Sequence, residues 1–514
     1  MNFRLLIVPT HRSFRHRQAH SRYTVDALKY TRRTKSEQVF KMPGNGRNVT
    51  VELDELKQSV DAFFIMTNGI FISLMQAGFA CLEVGSVRTK NAVNILMKNL
   101  LDMVMCCFAY YMVGYSLAYG EGNPFIGYEH FAGVGLPESA FVDWFFQFIF
   151  AATTATIVSG AVAERCQFAA YLVYSAVISG FVYPVVSHWA WSKNGWLNTL
   201  GFHDLSGCGV VHALAGTMAF VAAAFLGPRK GRFDKKGRPQ EMGGHSLPIT
   251  GIGALLLFTG FLAFNGGAIF HITGRGDEAL VARSMINTII AGCGGSLLTL
   301  LMAKLHLLKS ESPWPFTLIL NGTLAGMASS CAAPHRYEAW AMFVIGMISA
   351  FCYQCLHRLV LFVRVDDPLD ATALHFAGGC WGMVAEGFFQ PEGLLYKWNH
   401  DAGMEILYNV VGLSAIVAWG TFWSIILFGG LKCFGLLRVS ESEELEGLDI
   451  KEHGEEAYPR AAWGDNGYMW TVRPSTVISR TPAIYDKLYP EKKSKPESPP
   501  YRIEPQPIWG YEVV

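Results

Sequence analysis

From residue 60 to residue 437 this chain is mostly apolar runs, each long enough to cross a lipid bilayer. A spanning helix needs roughly 20 predominantly apolar residues, and about eleven such runs can be laid end to end. They start near Val60, Val93, Ala140, Phe168, Ser206, Leu247, Leu280, Trp314, Ala339, Leu369 and Met404. Hydrophobic residues make up 51% of the chain and charged ones 16%, and the mean hydropathy is +0.25. The expected fold class is an all-α polytopic membrane protein, and 52 glycines suit close helix packing. The net charge of +1 says nothing about partners, while the apolar runs imply membrane lipid around them.

The charges between the runs orient the chain. With every second connection on one side, that side carries thirteen Lys and Arg, among them Arg88, Lys90, Arg165, Arg229, Lys230 and Arg364. The other side carries four: Lys193, Arg275, Arg336 and Lys397. The positive-inside rule puts the first set in the cytoplasm. An odd helix count then places the N-terminus outside and the C-terminus inside.

Two histidines sit within this apolar background in a shared pattern. His212 lies in DLSGCGVVHALAG and His375 in DDPLDATALHFAGG. An ionisable side chain at membrane depth is costly and marks a functional site by default. Asp204 precedes His212 by eight residues and Gly216 follows by four; Asp367, His375 and Gly379 repeat that spacing 163 positions on. One D-x7-H-x3-G element thus occurs twice. Two copies point to two structural repeats, each offering a histidine to a shared site at their interface. For a lone histidine, a satisfied core residue is an even alternative; the matched pair weighs against it. Asp204 and Asp367 stand at helix starts, where an acid caps free N–H groups.

The ends differ from the middle. Residues 1–55 form a basic extension without the apolar core of a secretory signal, followed by a membrane domain over 56–437. Residues 438–514 form an acidic, Pro-rich tail that cannot span and is expected in the cytosol. Asn48 opens an N-x-T glycosylation sequon, usable only with the N-terminus outside. The eleven cysteines read as small buried hydrophobes, and Cys352-x-x-Cys355 on an apolar helix lacks the partner pair that zinc requires. The chain carries no Walker A lysine, GxSxG, HExxH or Rossmann glycine fingerprint. No enzyme activity, cofactor, metal site or nucleic-acid partner is expected.

Six segments in order carry a resemblance: MQAGFACLEVGSVRTKN (75–91), SGAVAERCQF (159–168), DLSGCGVVHALAG (204–216), FNGG (264–267), NGTLAG (321–326) and DDPLDATALHFAGG (366–379). Together they resemble the ammonium transporter family, and GLDIKEHGEEAYP in the tail resembles its animal members. The resemblance implies two inverted five-helix repeats plus a final helix, and a homotrimer with one pore per subunit. It implies that His212 and His375 are twin pore histidines and that Phe150 and Phe264 form an outer gate. It further implies a cation recruitment site shaped by Trp191, Phe146 and Asp204. One position departs: many members carry a serine four residues after the gate phenylalanine, and here Ala268 removes that hydroxyl.

The implied chemistry is ammonium transport across the plasma membrane. An aromatic ring face holds a cation by about 0.5–2 kcal/mol. A bare cation cannot cheaply enter the low-dielectric interior. Ammonium, unlike potassium, can shed a proton and pass as ammonia. Taken alone, Trp191 reads as an interfacial anchor and each phenylalanine as ordinary packing; the resemblance assigns them the roles above. The alternatives are an electroneutral ammonia channel of the Rh kind, towards which Ala268 leans, and an ammonium sensor that conducts little.

Overall fold

The computed structural model describes residues 49–308 and 312–459. Asn48, the sequon on it, the basic extension before it and the Pro-rich end of the tail lie outside the described residues. Among those described, secondary structure is helical, relieved only by isolated bridges.

Nine helices among the described residues are long and apolar enough to cross a membrane. They are α1 Thr50–Ser86, α2 Thr89–Tyr119, α3 Glu138–Val162, α4 Phe168–Leu200, α5 Cys208–Leu226, α6 Leu247–Gly267, α7 Asp277–Lys304, α9 Ala339–Phe362 and α11 His400–Cys433. The two other expected runs are helical but shorter. α8 is Phe316–Ser330, 15 residues, and α10 is a five-residue turn, Thr372–Phe376, continued by Ala377–Phe389. Both pack against several other helices, where a short helix with irregular ends is tolerated. The first helix begins before the expected boundary at residue 56, because the polar stretch ahead of Val60 continues the same helix.

Neighbour relations repeat five helices apart. α1 packs on α2, α2 on α4 and α3 on α5; in the second half α6 packs on α7, α7 on α9 and α8 on α10. The halves join where α1 lies along α6 and α5 meets α10, and α11 packs on α5. The centre is formed by α3, which is almost wholly buried, whereas α11 is largely exposed. Outward-facing side chains such as Phe63, Leu100, Leu255 and Ile425 are apolar, as a bilayer requires. Cys293, Cys355 and Cys433 are also exposed, correcting their reading as buried: a weakly polar thiol is tolerated on an apolar outer face.

Four connections expected on one side do meet at one end. Glu164 binds Arg88 at 2.8 Å and Arg229 at 3.0 Å, and Asp366 binds Arg229 at 2.8 Å and Arg232 at 3.2 Å. Burial by itself would raise the Glu164 carboxyl, but Arg229 and Arg88 outweigh it and hold the group down at about 2. At the opposite end Arg336 pairs with the buried Glu386 at 2.7 Å.

The described part of the tail docks on the first end. Leu437 O accepts from Gln167 N and Arg165 O from Val439 N, both at 3.1 Å. Ser440 caps the short helix α12, Glu441–Glu446, whose Glu444 reaches Arg438 and the amide of Lys230. Asp449 then accepts from the amides of Val93 (3.1 Å) and Asn94 (2.8 Å), so a tail carboxylate caps the start of the α-helical part of α2.

Candidate functional site

Each half of the molecule builds the same local device. Asp204 accepts from four successive backbone amides: Gly207 (2.9 Å) and Cys208 (2.8 Å) on Oδ1, Gly209 (2.8 Å) and Val210 (3.0 Å) on Oδ2. These are otherwise unpaired donors at a helix start, and a carboxylate is the side chain best able to satisfy several at once. The helix so begun opens with a π-helical turn, Cys208–Ala213, that carries His212. In the second half Asp367 accepts from Thr372 N at 2.7 Å, and the π-helical turn Thr372–Phe376 carries His375. A π-turn re-aims one side chain out of the helical register and recurs at functional sites.

The glycines of the repeated element explain how the two turns touch. A β-carbon on Gly216 would come within 2.4 Å of Phe376 N, and one on Gly379 within 2.4 Å of Cys208 O and 2.6 Å of Ala213 N. Each glycine therefore admits the backbone beside the other half's histidine. The result is a direct contact: His212 Nδ1 lies 3.1 Å from His375 Nδ1, with the rings 14° from parallel. Two nitrogens at that distance share one hydrogen, so one ring donates from Nδ1 and the other accepts there. The two rings are consequently opposite tautomers. Both are buried.

Aromatic rings continue the line. Phe264 lies 5.9 Å from His212 and stacks on Phe150 at 4.1 Å, 16° from parallel. Phe150 meets Phe146 at 5.1 Å and the edge of Trp191 at 5.9 Å. Trp191 is buried, and its Nε1 donates to Asp204 O at 2.7 Å. That bond fixes the indole against the helix-capping segment rather than against lipid. Ala268 closes α6, buried, and brings no polar side-chain atom to this end. The eight residues that the resemblance places at a site thus fall in one region, ordered Trp191 and Phe146, Phe150 and Phe264, His212, His375, with Asp204 and Ala268 beside the first pair.

Four further residues join them. Phe261 stacks near His212 at 5.7 Å, and Phe270 packs on Phe146 at 4.9 Å. The Cys331 thiol lies 3.5 Å from His212 Nε2, the ring nitrogen not turned towards His375. Glu83 shares a cavity wall with His375. Phe261 was within reach of the sequence, three positions before Phe264 on one helix face. Phe270 and Cys331 carried no such signal, whereas Glu83 is an acid inside the first apolar run, a cost that by itself points to function.

The profile of the Ammonium Transporter Family matches residues 63–458, a stretch that takes in every one of these positions. The chain belongs to this family. A putative ammonium transporter 1 of Caenorhabditis elegans is 39% identical over 455 residues, 81% of this chain and 84% of that one. An ammonium transporter 1 member 3 of Solanum lycopersicum is 36% identical over 432 residues, 78% and 93% of the two chains. Among solved structures a Sensor Amt Protein superposes with a TM-score of 0.72 at 27% identity, covering 78% of this chain and all of that one. Mep2 of Candida albicans gives 0.69 at 26% identity, covering 82% and 95%. This ammonium transporter family member is therefore a multi-pass membrane protein in which a buried aromatic column leads to two touching histidines.

Proposed function

We propose that the chain moves ammonium and ammonia across the plasma membrane, through eleven spans arranged as two inverted five-helix repeats and a final helix. The N-terminus lies outside, the tail in the cytosol, and three copies assemble with one pore each. Ammonium is held at the outer end by Trp191 and Phe146, beside the segment that Asp204 caps. It sheds a proton there, and ammonia passes Phe150 and Phe264 when these rings swing apart. His212 and His375 then offer ammonia hydrogen-bond partners in an otherwise apolar path and carry the shed proton. The observation that carries this reading is the unbroken contact from Trp191 through Phe150 and Phe264 to the His212–His375 pair.

Two features of the column fit the chemistry. Phe150 and Phe264 in stacking contact leave no room for a hydrated ion between them. The opposite tautomers of the pair give a proton a defined way in and out, since each ring has one accepting nitrogen and one donating.

A second reading rests on the superposition with the Sensor Amt Protein: a sensor whose pore barely conducts. Current and surface pH recorded in oocytes on adding ammonium, with His212→Ala beside the wild type, separate the readings. A saturating inward current lost in the variant at equal surface expression supports charge-moving transport. A pH change without current supports the electroneutral channel, to which Ala268 inclines. Neither signal from well-expressed protein overturns transport and leaves the sensor.

A further inference from the structure

Beyond the histidine pair lies a cavity of 30 Å³ whose wall includes His375, Phe261, Thr156, Asn321 and Glu83. A site needs about 10–15 Å³ open to a water probe, and two or more polar partners, to hold a water. This one meets both conditions with room for about two. It sits at the tail end of the column, since Leu369 and Ala371, from the connection that carries Asp366, also line it.

Glu83 stands three residues from the end of α1 and is fully buried. Its Oε1 accepts from the Ser159 hydroxyl and its Oε2 from Asn99 Nδ2 at 2.8 Å. Its charged neighbours are Asp102 and Lys98; Lys98 Nζ donates to Cys166 O at 2.7 Å. A structural tie between α1, α2 and α3 accounts for the two hydrogen bonds. It does not account for a carboxyl on the wall of the cavity that His375 faces. Asp102 makes a tie of that kind with Thr156 and Ser175, and it stays off the wall. An acid within a membrane span carries a standing desolvation cost that function ordinarily explains.

We propose that Glu83 is the proton acceptor on the inner side of the histidine pair. The inference rests on the transport reading above. When a proton bonds to His212 Nε2, the shared hydrogen passes from His212 Nδ1 to His375 Nδ1 and the Nε2–H bond of His375 breaks towards a cavity water; both rings then turn over and regain the starting tautomers before the next proton enters. That water passes one of its own hydrogens to the Glu83 carboxylate, forming the neutral acid. Each oxygen of Glu83 accepts one hydrogen bond and keeps a lone pair for this transfer. One turn from the end of α1, the acid then releases its proton to the aqueous side. Ammonia leaving the pore takes up one proton there, so each cycle moves one ammonium and one charge.

The test uses the full chain in oocytes, with current and surface pH normalised to biotinylated surface protein. Glu83→Gln is expected to lower the ammonium current at least tenfold while the surface-pH signal of ammonia entry persists. Glu83→Asp, which withdraws the carboxyl by one methylene, is expected to keep a reduced current with a larger solvent isotope effect in D2O. It serves as the deciding variant if the glutamine form does not reach the surface. Wild-type current per surface molecule in Glu83→Gln, or an unchanged current and isotope effect in Glu83→Asp, overturns the role of Glu83 and leaves the transport reading standing. No current in the wild type overturns the role of Glu83, and loss of the surface-pH signal as well overturns the transport reading.

Discussion

Gly216 lies directly against Phe376, so closely that a β-carbon at Gly216 would sit 2.4 Å from the Phe376 amide nitrogen. The residue after His375 thereby rests on the helix turn that follows His212. Backbone cannot withdraw as a flexible side chain can, so even one methyl group must push the two halves apart.

Gly216→Ala is expected to destabilise the protein by about 1–3 kcal/mol, the usual cost of overpacking, and to abolish transport by separating the histidines. Gly379→Ala is expected to match it. Gly430→Ala, where nothing lies within 4 Å, is the control and is expected to behave as wild type. Thermal unfolding in detergent and uptake of methylammonium check all three. Normal uptake by Gly216→Ala would refute the close approach.

Trp191→Leu removes the ring face and the bond to Asp204 O. A cation–π contact of about 0.5–2 kcal/mol corresponds to roughly a 2- to 30-fold rise in the half-saturating methylammonium concentration. Concentration-dependent uptake measures it, and an unchanged half-saturation would remove Trp191 from the recruitment site.

Asp204→Asn leaves one side-chain oxygen and an NH2 group where two oxygens accept from four amides. The expected loss is about 1.5–3 kcal/mol, because hydrogen bonds to a charged group are among the stronger ones. Thermal unfolding should fall correspondingly, with transport reduced since His212 rides on the capped turn.

Glu164 gives the pH dependence a definite sign. Its carboxyl is held at about 2 against an ordinary 4.5, so its stabilisation is complete above pH 4.5 and is lost as pH falls towards 2. This stabilisation is on the order of 3 kcal/mol. Melting of the purified protein should not vary on account of this cluster between pH 7 and 5.5, and should drop below 4.5. Glu164→Gln should melt lower at pH 7, with Arg88 and Arg229 left facing each other, and show a flatter acid limb.

Asp449→Ala should loosen the tail. It removes the cap on Val93 and Asn94 while leaving the α12 contacts in place. Limited proteolysis of membranes is expected to cut the tail faster near residue 450 in the variant. Equal cutting rates would show that the other tail contacts suffice.

Much of the site was legible because the chemistry repeats. His212 and His375 are conspicuous where ionisable groups are costly, and their shared spacing from Asp204 and Asp367 shows two copies of one element. Trp191 could not be told from a lipid-facing anchor, because that choice depends on whether its indole meets Asp204 O or headgroups. That Glu83 and Cys331 each stand near a histidine was illegible for a related reason. Each meets a histidine's surroundings only after segments more than a hundred residues apart have packed together. The run from Trp314 read as a full span, whereas the helix it contains stops at Ser330, just before the turn that carries Cys331 to His212.

Hydropathy, charge placement and the doubled D-x7-H-x3-G element determined the membrane-embedded helical class, the end at which Arg88, Arg229 and their partners gather, and the two histidines, because each rests on local spacing or composition. Tertiary structure alone decided that the histidines touch through Nδ1, that Phe150 stacks on Phe264, that the tail caps α2 and that Glu83 and His375 line one cavity. Those are relations between distant segments, and only the close packing of helices against one another brings such atoms within a few ångströms.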